Sequence, residues 1–172
     1  MQKDLTKCDN IVYKKMSPGM YSKEVKAVKI NNEIIILKTP RFYGSYLHEK
    51  KIYTRLKDED FLPKLKYYDD KHYILGLTDV GDTIEIYKEK EKEKYNKLVE
   101  NINKQIKNIM DKLSDKYSLY HNDLREKNIC IDNHNKIRFI DFECTSEKLS
   151  SGEKKYYLNY GCSETYFICS KI

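Results

Sequence analysis

Across residues 94–116, Leu98, Ile102, Gln105, Ile106, Ile109, Met110 and Leu113 recur at three- and four-residue spacing. That period lines them along one stripe of a helix, and such a stripe needs a partner surface to cover it. The segment is too short for four clean heptads, so a core helix is expected rather than a partner-binding coiled coil. The chain before it has another period. Residues 11–16, 24–30 and 33–38 read as strands, separated by a turn over 17–22 and a hairpin-type turn at Asn31-Asn32. Pro40 closes that region. Residues 43–56 then carry Tyr46, Leu47, Ile52, Tyr53 and Leu56 at roughly helical spacing. Beyond Pro63, residues 65–68 and 73–77 look like strands around Asp69-Asp70-Lys71. The expected class is α+β, opening on a five-stranded antiparallel sheet with one helix inserted after the third strand.

The connector Asp79-Val80-Gly81-Asp82 leads into a short helical start at residues 84–87 and a charge-dense solvated stretch over 89–95. After the long helix, residues 129–131 and 137–142 are short strands joined by Asp132-Asn133-His134-Asn135. The chain of 172 residues is long enough for one domain built as two small lobes, 1–80 and 81–172.

Composition narrows the function classes. Apolar residues make up 40% and charged residues 35%, which excludes a collagen-like or wholly disordered chain. No 18-residue apolar run exists, so no spanning helix is expected, and no secretory signal follows Met1-Gln2-Lys3-Asp4. Cys8, Cys130, Cys144, Cys162 and Cys169 form no CxxC pair. They are read as free thiols of a reducing, cytoplasmic compartment, not as a zinc knuckle or a disulfide framework. The net charge of +6 arises entirely before His121, because residues 121–172 hold eight charges of each sign. That mild field could attract a phosphorylated ligand, an acidic partner or nucleic acid. No aromatic-basic module such as an RNA-recognition motif supports the last.

The chemistry concentrates around the strand pair after the long helix. Asp123 and Asn128 precede its first strand, and Asp141 follows the second, 18 positions after Asp123. A hairpin brings both ends of this unit to one edge. Two carboxylates and a carboxamide at one mouth suit Mg²⁺, which takes few protein oxygens and completes its shell with phosphates. A carboxylate free of metal could orient or deprotonate a hydroxyl. Four scattered histidines do not supply a zinc site.

His121-Asn122-Asp123-Leu124-Arg125-Glu126-Lys127-Asn128 resembles the catalytic loop of the protein-kinase-like superfamily, and Ile140-Asp141-Phe142-Glu143 resembles its metal-binding segment. The wording is most similar to that of choline and ethanolamine kinases. Arg125, two residues after the aspartate, is more like protein kinases. The resemblance covers about residues 11–145 and implies a minimal bilobal protein-kinase-like fold. Its N-lobe would be the five-stranded sheet with one helix, and its C-lobe helical and truncated.

The resemblance also implies cofactors, ATP and Mg²⁺, and roles. Asp123 would orient the substrate hydroxyl or accept its proton. Asn128 and Asp141 would hold Mg²⁺. Lys38, paired with Glu49, would neutralise phosphate charge, with Arg125 offsetting charge on the transferred group. Gly19 would be the remnant of a phosphate loop, and the backbone at Asp79 and Val80 would meet adenine. Val25 and Ile36 would line the adenine pocket from above, Cys130 and Ile140 from below. His121 would buttress the loop. Glu143 stands where protein kinases have glycine, while an acid there is normal in the choline-kinase type. No Ala-Pro-Glu sequence occurs, and no Asp follows Asp141. The peptide platform of protein kinases is therefore expected to be mostly missing, its surface supplied by an activating protein partner or a second copy.

Three functions follow. One is an active phosphotransferase acting on protein Ser/Thr hydroxyls or, alternatively, on small alcohols. Another is a non-catalytic kinase mimic acting as a binding module. The third, a basic nucleic-acid binder, has the least support.

Overall fold

The computed structural model describes residues 12–16 and 22–147. Gly19, Cys8, Cys162, Cys169 and the aromatic-rich segment 156–168 lie outside the described residues. The chain divides into two compact units, Met1–Asp79 and Val80–Ile172. The architecture is mixed α+β: an N-terminal antiparallel sheet with a helix, then helices and a smaller sheet.

The first unit holds β1 (Val12–Met16), β2 (Ser22–Ile30), β3 (Glu33–Pro40), α1 (Tyr43–Arg55), β4 (Leu65–Asp69) and β5 (Ile74–Thr78). Its five strands are ordered β1-β2-β3-β5-β4, and every neighbouring pair is antiparallel. Asn31 and Asn32, at φ of 50° and 64°, make the β2–β3 turn. Two successive left-handed residues match strand twist, and asparagine tolerates that region. The strand expected to stop at Lys38 continues two residues further. Pro40 forms its last pair, with Ser22, at the sheet end. Val28, Ile30, Ile35 and Leu37 form a buried cluster against which Tyr67 and Ile74 pack.

Helix α1 lies against β3, β4 and β5. Its buried stripe is Tyr46, Glu49, Ile52 and Tyr53, continued by Leu56 just beyond. Leu47, expected among the inward apolar residues, is exposed. It falls about a quarter-turn past Tyr46, in line with Tyr43 and Lys51 on the outer side. The inward position that an apolar residue would have taken belongs to Glu49.

The second unit holds β6 (Asp82–Thr83), α2 (Ile84–Lys90), α3 (Lys92–Tyr117), β7 (Ile129–Ile131) and β8 (Ile137–Phe139), with 3₁₀ turns at Glu126–Asn128 and Phe142–Cys144. Strand β6, not anticipated, extends the hairpin into a three-stranded sheet, β6-β7-β8. At Gly81, φ is +97°, and a Cβ there would stand 2.2 Å from the Ile131 carbonyl oxygen. Only glycine allows the chain this close to β7.

Helix α3 buries Tyr95, Ile102, Asn103, Ile106, Ile109, Met110 and Leu113. Ser118, in the left-handed region, ends it by donating its N–H to the carbonyls of Leu113 and Ser114. Gln105, counted with the apolar stripe, has a more specific task. Its Nε2 donates to the Asn135 carbonyl at 2.9 Å, and its Oε1 accepts the Ile137 N–H at 3.0 Å. One amide thus pins the β7–β8 turn to α3. Among the described residues no helix is long and apolar enough to cross a membrane.

Candidate functional site

The residues singled out above fall into two groups, one in each unit. In the first, β3 carries Lys38 and α1 carries Glu49. The Lys38 Nζ lies 2.9 Å from Glu49 Oε1 and 2.8 Å from Oε2. Lys38 is 7% exposed and Glu49 not at all. Burying two charges costs several kcal/mol per ion before their attraction is counted, so roughly equal apolar side chains would serve stability as well or better. A pair kept at that cost is a functional candidate. Val25 and Ile36, half-buried, lie on the sheet beside Lys38: Val25 pairs directly with it and Ile36 is two residues before it.

The second group is built around His121, which is buried. Its Nε2 bonds the Ile140 carbonyl at 2.9 Å, while its Nδ1 accepts the Asp123 N–H at 3.4 Å. An Nδ1 that accepts a backbone N–H leaves the proton on Nε2, the neutral tautomer, which donates to Ile140. The ring stands edge-on to Phe139 and tilted against Phe142. One imidazole therefore ties the backbone of Asp123 to the residue preceding Asp141, the buttressing expected of it.

Asn128 is fixed by the 3₁₀ turn and its surroundings. Its N–H donates to Arg125 and its carbonyl accepts the Ile140 N–H. Its Nδ2 donates to the Asp123 carbonyl and to Asp123 Oδ2, both at 2.8 Å. With the NH₂ end turned to Asp123, the amide oxygen is directed away from it. Outside the turn, Lys88 of α2 holds Glu126 at 2.8 Å and Lys127 reaches Glu85 at 3.5 Å.

Asp123 Oδ2 also receives Arg125 Nη2 at 3.0 Å. Both bonds fall on one oxygen, so Oδ1 is the atom left to accept from a hydroxyl. Asp141 follows β8 with φ of 63°, and Asn122, just before Asp123, has φ of 62°. Left-handed backbone at non-glycine residues is uncommon and gathers at functional sites. Cys144 reports that the carboxylates share a neighbourhood. Burial pushes its thiol pKa up, and the charges of Asp123, Asp141 and Glu143 push it further, partly opposed by Arg125.

Glu143 has both carboxylate oxygens buried without a hydrogen-bond partner among the described residues. A buried carboxylate without a donor is costly, and a nearby cation offsets that cost. Among the described residues no group of three or more His, Cys, Asp or Glu side chains is placed to hold a metal. An ion here would take Asn128 and Asp141 and complete its shell with water and phosphate, as Mg²⁺ does.

Asp79 ends the first unit and is exposed, whereas Val80 begins the second and is half-buried. Cys130 and Cys144 are free thiols, the first buried. One contributor escaped the sequence reading: Gln105 looked like part of a stripe, and only its polar end hinted otherwise. His121 was read as a buttress, but its partner was not foreseen, because a carbonyl 19 residues away leaves no mark in local spacing.

No protein-family model matches the chain, and a search of curated proteins finds no match.

Proposed function

We propose that this chain is an ATP- and Mg²⁺-dependent phosphotransferase that moves a γ-phosphoryl group to a hydroxyl, with a protein Ser/Thr side chain as acceptor. The observation that carries this reading is the lock between Asn128 and Asp123. Asn128 Nδ2 donates to the Asp123 carbonyl and to Asp123 Oδ2, and this supports a reading in which the carboxamide oxygen serves a cation and the second carboxylate oxygen serves a hydroxyl. The buried Lys38–Glu49 pair supports it from the other unit, since an oriented ammonium is what nucleotide phosphates require.

Bound Mg²⁺·ATP supplies the phosphoryl group and much of the charge neutralisation. The chain's own residues have positional tasks. Asp123 Oδ1 orients the acceptor hydroxyl and accepts its proton. Asn128 and Asp141 hold the metal, with Glu143 adding negative charge beside it. Arg125, close to Asp123, offsets charge that develops on the transferred group. Lys38 holds the nucleotide phosphates and Glu49 keeps its ammonium in place. Such positioning is most of what phosphoryl transfer asks of a protein.

A second reading rests on the Arg125–Asp123 ion pair. If that pair persists when nucleotide is bound, Arg125 stays on Asp123 Oδ2 and does not reach the transferred group, and the chain acts as a nucleotide-binding mimic. Incubation with γ-labelled ATP and Mg²⁺, against Ser/Thr peptides and small alcohols, separates these readings. Label should pass to a peptide, and Asp141→Ala should abolish transfer. Label on a small alcohol would move the acceptor to the choline-kinase type. Nucleotide binding with no transfer to any acceptor would favour the mimic.

A further inference from the structure

Four of the five large hydrophobic side chains exposed among the described residues lie together at one corner of the first unit. Phe42 is 58% exposed, Tyr43 53%, Leu47 43% and Tyr73 38%. Tyr43 and Leu47 are one helical turn apart on the outer side of α1. The Tyr73 ring, from the β4–β5 turn, sits 4.9 Å from that of Tyr43. Buried Tyr46 lies beneath, its ring 5.7 Å from Tyr73. Clustered exposed apolar side chains of this kind mark interaction surfaces, whereas scattered ones do not.

The exposed charges that flank the patch on the α1 side are basic. Arg41 precedes it and Lys51 continues the Tyr43–Leu47 stripe, both exposed. The first turn of α1 carries no acidic residue, so the positive end of the helix dipole is uncompensated there. The neighbouring carboxylate of Asp70 is already held by Lys50 at 2.6 Å and by the Tyr46 hydroxyl at 2.5 Å.

We propose that the Phe42–Tyr43–Leu47–Tyr73 corner docks an acidic amphipathic segment of a partner protein. Its apolar side chains would cover the aromatic corner, and its carboxylates would meet Arg41, Lys51 and the start of α1. A second copy of this chain is the poorer occupant, because a two-fold contact would set Arg41 and Lys51 against their own copies. The proposal stands independently of the phosphotransfer reading.

The test uses the full chain and a labelled synthetic 18-residue peptide with Leu and Phe on one helical face and Glu and Asp on the other. A matched peptide replaces every acid with Lys. The acidic peptide should bind at least ten times more tightly by fluorescence anisotropy. Leu47→Asp, and separately Arg41→Glu with Lys51→Glu, should each weaken it at least ten-fold without moving the thermal midpoint. Equal affinity for the two peptides, no measurable binding, or binding that survives both variants would overturn the proposal. So would self-association in sedimentation that Leu47→Asp abolishes, which assigns the corner to a second copy. Binding of oligo-dT that the same variants abolish, without peptide binding, assigns it to nucleic acid.

Discussion

The Lys38–Glu49 pair separates stability from function most sharply. Replacing Glu49 with Leu leaves a buried ammonium unpaired, and replacing Lys38 with Met does the same to a carboxylate. Each single change is expected to cost about 3–5 kcal/mol in urea denaturation. The double variant Lys38→Met with Glu49→Leu should recover to at least the parent stability, with gains of about 1–4 kcal/mol seen for such replacements. Its nucleotide affinity by calorimetry should nevertheless be lost. A double variant that folds well and still binds ATP would show that the pair is only structural. The pair's residues were named through the family resemblance, which places a lysine at the end of the third strand and an acid in the following helix. The helix register was not legible in the sequence, because His48-Glu49-Lys50-Lys51 is polar throughout and periodicity cannot choose among polar residues. Tertiary packing chose, by turning Glu49 inward with Tyr46 and Tyr53.

Among the elements, the β6–β7–β8 sheet bears most on the site, and two residues hold it in shape. Gly81→Ala would force a methyl group against the Ile131 carbonyl at a positive φ. Strain and overpacking together should cost more than about 1 kcal/mol, read as a lowered urea midpoint with unchanged slope. Unchanged stability would mean that the connector is free to move away from β7. Asp132 shapes the β7–β8 turn. Burial tends to raise its pKa, but the N–H groups of Lys136 and His134 and the Arg138 guanidinium more than offset this and hold it below the ordinary carboxylate value. A folded pKa below the unfolded one means that Asp132 contributes stability above about pH 4. That contribution is lost as pH falls through the depressed folded pKa. Asp132→Asn should therefore lower stability at pH 7 and flatten its decline below about pH 4 in acid titrations followed by circular dichroism. An unchanged acid limb would remove the turn from the account. The turn was visible from Asp132-Asn133-His134-Asn135, whereas β6 was not. A strand of two residues has no period, and it exists because Gly81 lets the chain approach β7.

At the scale of the molecule, the order of elements was the most legible property: five antiparallel strands with one helix after the third, then a long helix and a hairpin. These follow from periods of 2 and 3.6 and from turn residues, which act locally. The bond from His121 to the Ile140 carbonyl is instead a long-range contact, which no local pattern encodes. Two signals pointed to the candidate site: the bracketing of a hairpin by Asp123, Asn128 and Asp141, and motif wording that resembles a known family. Occupancy by a metal–nucleotide complex is the claim on which the proposed function rests. The most direct measurement is paramagnetic broadening of backbone amide signals on adding Mn²⁺ with ATP to the full chain. The signals of Asn128 and Asp141 should broaden first, and Asp141→Asn should prevent it. Sharp signals at those residues under saturating Mn²⁺·ATP, with broadening instead at surface acids such as Asp111 and Asp115 on α3, would contradict the claim.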